Sequence, residues 1–346
     1  MTRRLRTVLV GVGRMGSTYA LDRLTRRHYR HASHAEVLAE HPAFAWEAAV
    51  DPDAAALTAA QQQWGFAHAA ASLGDLLPHY DPEVLVLATP PSAYRASVAA
   101  CPGLKAVLCE KPMGNTLADA GDLLGLCRSR GILLQVNFWR RCDPFCCRLA
   151  AGELQGLIGS PVVINAFYGN GLRNNGSHVV DFCRMLFGGI AGVQAFGRNP
   201  SADPEDPADD HDLACMLHFS NGVMANLQPL NFGDYREVGL DIWGETGRLE
   251  ILNEGLTNRL SRRSAHRALT RAREMQVDAP EFLPSTVGEA LWQVYANLAA
   301  ALLQGADLMS PGSSALQTAA VIEAIQRSAA AGDGRVERIA HGKPQA

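Results

Sequence analysis

Four residues with strand character, Thr7–Val10, run directly into Gly11-Val12-Gly13-Arg14-Met15-Gly16, and this junction constrains the chain more than any other feature. A G-x-G-x-x-G that closes a strand and opens a helix is the form a backbone takes to hold a pyrophosphate. The first glycine permits the tight turn, the second lets the backbone approach the phosphates, and the third lets helix pack on strand. Helix N-terminal amides then face the anion. Elsewhere in a chain a glycine triplet is often only a turn; after a first strand it points to a dinucleotide site.

The next stretch agrees. Apolar runs at Thr7–Val10, Ala45–Val50, Val84–Ala88, Ala106–Cys109 and Ile132–Val136 alternate with Ala/Leu-rich helical segments, the succession of parallel βαβ units. Each run is near-continuously apolar, as strands covered by helices on both faces are. Residues 1–136 are therefore expected to form an α/β domain with a doubly wound parallel (Rossmann) sheet. Past Arg140 the texture changes to strands joined by turns: Val162–Tyr168, Gly192–Arg198, Leu213–Phe219, Gly222–Leu227, Val238–Trp243 and Gly247–Leu252, with Ser220-Asn221-Gly222 a hairpin signal. Residues 137–346 are expected to be a second, mainly antiparallel domain with helices at Glu289–Leu303 and Ser314–Ala330, and 346 residues suit two domains.

Composition narrows the partners. A net charge of −4 supplies no field that would draw nucleic acid or an anionic membrane. No apolar run reaches the ~18 residues of a membrane span, and the apolar start is too short for an export signal. Eight cysteines in apolar or helical contexts, without C-x-x-C pairs or zinc spacing, read as reduced thiols of a cytoplasmic protein. Asp203–Asp212, with six acids, reads as a solvated loop, and Arg259–Arg273, with six arginines, as an exposed connection.

A ribose-binding acid should end the second strand. Asp51 does, but it lies 35 residues beyond Gly16 instead of the usual ~20. Ser33-His34-Ala35-Glu36 is a capping-box pattern that opens a fresh helix, so residues 20–32 read as an insertion between two helical pieces. Its histidines, His28 and His31 with His34 just beyond, have no carboxylate or thiolate companions; they are expected to form a polar lid or loop, and no metal site is expected. Asp51 offers a carboxylate to the ribose 2′-hydroxyl without a neighbouring arginine for a 2′-phosphate, which favours NAD over NADP.

Two more clusters carry chemistry. Ala88-Thr89-Pro90-Pro91 and Cys109-Glu110-Lys111-Pro112 end strands, and strand carboxyl ends are where such sheets bind ligands. Lys111 is one of only three lysines beside 28 arginines. In Gly176-Ser177-His178-Val179-Val180-Asp181, His178 and Asp181 share a helix face, and histidine titrates near neutrality. Alone, a strand-end lysine is more often solvated and a helix-start histidine more often a cap.

Taken in order, G-V-G-R-M-G, A-T-P-P, E-K-P and G-S-H-V-V-D resemble the Gfo/Idh/MocA oxidoreductase family, and Asp241–Leu249 and Ala315–Ser328 extend the likeness over nearly the whole chain. The resemblance implies a Rossmann domain, an α/β domain with a large, mainly antiparallel sheet, and a nicotinamide between them. The implied substrate is sugar-like: a sugar, cyclitol or nucleotide-linked sugar. By motif, Gly11, Gly13, Arg14, Met15, Gly16, Asp51, Thr89, Pro90, Pro91, Glu110 and Lys111 would hold the cofactor. Lys111 would also bond the reacting hydroxyl, and His178 would act as acid–base. Asn174, which would join Lys111 and His178 at the catalytic site and position the substrate, stands where many members have Asp, and Tyr94 roughly where many have His. Asn137 and Arg141 resemble the family's crossing into the second domain and would contact substrate or nicotinamide. A homo-oligomer, dimer or tetramer, is expected. Two further readings fit the same residues: an NAD-retaining glycosidase or dehydratase, and a silent dinucleotide- or sugar-sensing regulator, against which the presence of both Lys111 and His178 argues.

Overall fold

The computed structural model describes residues 3–198, 210–275 and 279–339, without the side chains of 197 and 198. They fall into two compact units, Met1–Asp143 with Gly288–Leu316, and Pro144–Val287 with Gln317–Ala346. The expected single boundary at 136/137 thus assigned Gly288–Leu316 to the second domain, whereas that segment packs in the first unit.

In the first unit the elements are β1 (Leu5–Val10), α1 (His34–Glu40), β2 (Phe44–Val50), α2 (Ala54–Trp64), β3 (His68–Ala70), α3 (Leu73–Leu76), β4 (Val84–Leu87), α4 (Tyr94–Ala100), β5 (Ala106–Cys109), α5 (Leu117–Ser129) and β6 (Leu133–Val136). The sheet is parallel in the order β3-β2-β1-β4-β5-β6, the doubly wound arrangement expected. All residues of β4 and β5 are buried, which accounts for their unbroken apolar sequence. β3 has no such run and gives no sequence signal. Several helices of this unit start on side-chain caps: Asp53 accepts the Ala55 and Ala56 amides at α2, and Thr116 and Asp119 form a capping box at α5.

The second unit holds α6 (Pro144–Arg148), α7 (Leu154–Ile158), β7 (Pro161–Tyr168), α8 (Ser177–Phe187), β8 (Ile190–Arg198), β9 (Leu213–Phe219), β10 (Met224–Pro229), β11 (Gly239–Gly244), β12 (Gly247–Leu252), β13 (Thr257–Ala265), β14 (Arg273–Met275) and β15 (Glu281–Leu283). α9 (Ala290–Gln304) returns to the first unit, where Leu291, Val294, Tyr295 and Leu298 join the core. After it come α10 (Gly312–Ala331) and β16 (Glu337–Arg338). The large sheet runs β14-β13-β12-β11-β7-β10-β9-β8-β16, with β15 beside β13. Among the described strands of this large sheet only the β10–β7 pairing is parallel. β9 alternates strictly, burying Leu213, Cys215, Leu217 and Phe219 on the face that shares its core with Val180 and Cys183 of α8 and Val321 and Ile325 of α10. The hairpin read at Ser220-Asn221-Gly222 joins β9 to β10, with Gly222 at φ +86°.

The arginine-rich stretch is corrected here. Arg259–Ala265 lies in β13, and Arg259 donates to Glu250 on the neighbouring strand at 2.7 Å, so much of the presumed connection is sheet. All eight cysteines are thiols, seven of them buried. Among the described residues no helix is long and apolar enough to cross a membrane.

Candidate functional site

Five residues that each follow a strand extend the parallel ladder one rung past the strand ends. Asp51 N–H donates to Ala70 O (3.2 Å), Gly11 N–H to Val50 O (2.8 Å), Ala88 N–H to Val10 O (2.8 Å), Glu110 N–H to Leu87 O (2.9 Å) and Asn137 N–H to Cys109 O (2.8 Å). The sheet itself therefore places the glycine turn, Asp51, the A-T-P-P turn, the E-K-P turn and Asn137 along one carboxyl edge.

The three glycines divide as their roles require. Gly11 has φ +93°, and a Cβ there would meet the Ala88 carbonyl oxygen at 2.5 Å; a Cβ on Gly16 would strike the Gly11 carbonyl. A Cβ on Gly13 would meet nothing within 4 Å. Two glycines are thus demanded by packing and the third faces open space, which fits a pyrophosphate there. Asp51 Oδ2 accepts the Val12 amide at 2.8 Å and Oδ1 the Asp53 amide at 2.9 Å, leaving a lone pair on each oxygen for ribose hydroxyls. Arg14 is exposed, Met15 half-buried. Thr89 and Pro91 are half-buried and Pro90 exposed, and the Thr89 hydroxyl is a buried polar atom with no partner.

The helix expected straight after Gly16 is interrupted, and the interruption is a splice. His34 N–H donates to Met15 O and Ala35 N–H to Gly16 O, both at 2.9 Å. In an unbroken α-helix residues 19 and 20 would make those bonds, so α1 resumes the helix fifteen residues late. This matches the displacement of Asp51. The Ser33–Glu36 capping box is present.

The lid reading of the histidines is overturned for two of them. His28 is exposed, but His31 is 3% exposed and stacks on Trp292 with centroids 5.0 Å apart. His34 is fully buried; its Nδ1 lies 2.8 Å from the Tyr295 hydroxyl. Its Nε2 faces a carboxylate, which can only accept, and so donates to Glu110 Oε1 at 3.0 Å. Asn137 Nδ2 donates to the same oxygen at 2.6 Å, and the Tyr94 hydroxyl donates to the Glu110 carbonyl at 3.1 Å. Burial pushes the Glu110 carboxyl up, but the bonds from His34 and Asn137 and the charge of Lys111 together hold it below the usual range. Burial raises the Tyr94 and Tyr295 hydroxyls, which stay protonated as donors. Lys111 is half-buried, and the Lys111–Pro112 peptide is cis. Arg141, half-buried, ends the short turn Trp139–Arg141.

Asn174 and His178 lie in the second unit. Asn174 is in the wide turn Gly171–Gly176, and His178, half-buried, is the second residue of α8. Asp181 on the same helix is buried, and its Oδ1 accepts from Thr318 at 2.9 Å, an anchor for α10. The acidic stretch is not simply a solvated loop. Its residues 203–209 lie outside the described residues, but Asp210 accepts the backbone amides of Arg173 (2.7 Å) and Asn174 (2.9 Å), and Asp212 that of Gly171 (2.9 Å). Two carboxylates therefore pin the turn that presents Asn174 and leads into His178.

Sequence reasoning missed His34, Tyr295, Tyr94 as a backbone anchor, Asp210 and Asp212. His34 carried a signal, since taking out the fifteen extra residues sets it at helical position 19, four after Met15; the others depend on distant segments. Among the described residues no His/Cys/Asp/Glu group could hold a metal ion.

Residues 5–138 match the model of an oxidoreductase family with an NAD-binding Rossmann fold, and residues 167–337 that family's C-terminal alpha/beta domain. Trans-1,2-dihydrobenzene-1,2-diol dehydrogenase from Oryctolagus cuniculus is 29% identical over 178 residues, covering 46% of this chain and 53% of that protein. Inositol 2-dehydrogenase from Acidothermus cellulolyticus is 27% identical over 270 residues, covering 73% and 74%. The match thus spans about half the length of the dihydrodiol relative. The WlbA dehydrogenase of Bordetella pertussis, solved with NADH and UDP-GlcNAcA, shares the fold at a TM-score of 0.72 and 22% identity, covering 98% of this chain and all of that one. The two matching models, the 3-2-1-4-5-6 sheet with its glycine turn and the E-K-P edge make this chain a member of the Gfo/Idh/MocA oxidoreductase family.

Proposed function

We propose that the chain is an NAD-dependent oxidoreductase that moves a hydride between nicotinamide C4 and a secondary alcohol of a sugar, cyclitol or nucleotide-sugar-like substrate. The glycine turn carries this reading: crowded at Gly11 and Gly16, open at Gly13, and on the same edge as Asp51, Glu110 and Asn137. Relatives that act on a dihydrodiol and on inositol support the substrate class.

The nicotinamide, when bound, supplies the hydride acceptor. The protein binds, orients and moves a proton. Backbone amides from Gly13 to Gly16 meet the pyrophosphate, with Arg14 and Met15 beside it, and Asp51 accepts from the ribose. Its negative charge disfavours a 2′-phosphate, hence NAD over NADP. Thr89, Pro90, Pro91, Glu110 and Pro112 shape the nicotinamide side. Lys111 donates to the oxygen of the reacting hydroxyl, which favours its anionic form, and His178 takes the proton. Asn174 and Arg141 position the substrate; an amide at 174 can orient a hydroxyl but cannot accept its proton.

Lys111→Ala and His178→Ala are each expected to lower turnover by at least ~10²-fold, read by NADH absorbance over a panel of sugars, cyclitols and diols. Near-normal turnover in both rejects these roles. NAD(H) should bind at least about tenfold tighter than NADP(H), a difference of ~1.4 kcal/mol; equal or tighter NADP(H) binding removes the role given to Asp51.

A further inference from the structure

Asn137 has a fixed amide and an unsatisfied oxygen. Its Nδ2 must be the atom facing Glu110, because an ionised carboxylate only accepts. That leaves Oδ1 pointing away, and Oδ1 is a buried acceptor with no hydrogen-bond partner. The residue is 2% exposed. Buried acceptors are ordinarily satisfied, and one left alone in a site calls for a donor from elsewhere. His34 donates to that same Glu110 oxygen, and the Tyr295 hydroxyl lies against His34, so the orientation of the amide is set by a buried chain of four side chains.

The place of Asn137 says which donor. It ends β6, three strand spacings from the glycine turn at the end of β1, or about 14 Å along the edge. Asp51 ends β2 on the other side of that turn, where the adenosine ribose would lie. A dinucleotide whose pyrophosphate sits on Gly13 therefore extends its other half toward β5 and β6, and the far end of that half is a carboxamide with an NH2 group.

We infer that Asn137 Oδ1 accepts a hydrogen bond from the nicotinamide carboxamide NH2 and so fixes the rotation of the nicotinamide ring, with Glu110 and His34 acting as positioning residues behind it. The inference rests on the dinucleotide reading above. A donor reaching Oδ1 displaces the groups that now cover it, and the bond then satisfies an acceptor that the protein alone leaves unmet.

The test is the dissociation constant, by calorimetric titration, of NAD⁺, of its 3-acetylpyridine analogue and of ADP-ribose. The analogue replaces the carboxamide NH2 by CH3 and keeps the carbonyl. Wild-type protein should prefer NAD⁺ over the analogue by about tenfold, or ~1.4 kcal/mol. In Asn137→Ala, and in Asn137→Ser as a second variant, the preference should fall to within about twofold, with ADP-ribose binding unchanged as the sign of an intact fold. His34→Ala should reduce the preference partway. Equal wild-type affinity for NAD⁺ and the analogue, or an undiminished preference in a variant that still binds ADP-ribose, overturns the inference while leaving the enzyme reading in place. Failure of wild-type protein to bind NAD⁺ or ADP-ribose overturns both.

Discussion

Gly13→Ala separates binding from folding. The position has open space around it and a φ outside the left-handed region, so alanine fits the protein alone and trims unfolded-state entropy by about 0.4–1 kcal/mol. The melting temperature without ligand should hold or rise slightly. With dinucleotide present the added methyl stands where the phosphates approach. An overpacked contact costs ~1–3 kcal/mol, and a midpoint of ~2 kcal/mol weakens binding about thirtyfold. At a concentration of ~100 times the wild-type Kd, ligand contributes ~2.7 kcal/mol to the wild type but only ~0.9 kcal/mol to the variant. At roughly 2–4 °C per kcal/mol for domains of this size, a thermal shift of ~5–10 °C should fall to ~2–3 °C. Gly16→Ala should behave oppositely, because its Cβ strikes the Gly11 carbonyl: the ligand-free melting temperature itself drops. A Gly13→Ala protein with the full wild-type shift would refute the placement of the pyrophosphate on this glycine.

Deleting residues 18–32 should leave a continuous helix from Gly13 into α1, because His34 and Ala35 already bond Met15 and Gly16. The shortened protein should fold with a lower melting temperature, having lost the His31–Trp292 stack and the Arg30–Gly288 bond, and should still bind NAD⁺; loss of binding in a folded deletion protein would count against the splice. Glu110 has a folded pKa below its ordinary value, so it stabilises the fold above the unfolded pKa of ~4.3 and that contribution fades as pH falls through the lower folded value. Glu110→Gln should therefore show a shallower loss of stability on acidification than wild type by chemical denaturation from pH 6 to pH 3, roughly the acid range involved, and an equal slope would contradict it. Asp210→Ala strips a partner from two backbone amides, at about 1–3 kcal/mol for each donor left buried and unsatisfied. It should raise KM for the alcohol several-fold with the Kd for NAD⁺ unchanged, and a parallel loss of NAD⁺ affinity would show that Asp210 does not act through the turn.

Local pattern made the dinucleotide half legible. Strands buried on both faces announce themselves as apolar runs, and the glycine turn has a fixed place after the first of them, so β1, β2, β4, β5 and β6 and most of the carboxyl edge could be placed. The late position of Asp51 was interpretable because a capping box marks where a helix begins even when it is a resumed one. A succession of short strand-like runs joined by turns did the same for β7 to β12.

What escaped has one physical cause, that a polar side chain's fate depends on which backbone or partner waits for it. His34 looks solvent-bound beside His28 and His31, yet it turns inward because Tyr295, far along the chain in α9, and Glu110 at the end of β5 meet both of its ring nitrogens. Arg259 looks like part of an exposed basic connection, but Glu250 on the adjacent strand gives it a place in a sheet. The acidic stretch is the clearest case. Its composition argues for solvent, since six acids in ten residues are expensive to bury together. That argument is about the charges as a group, whereas Asp210 and Asp212 are recruited singly by the amides of Gly171, Arg173 and Asn174, which open a helical turn and so have no helical acceptors. A carboxylate that would be a poor core residue is the best available cap for such a turn. The turn it caps is the one that carries Asn174 into α8, so the acids that composition assigns to solvent belong to the support of the residues proposed to meet the substrate.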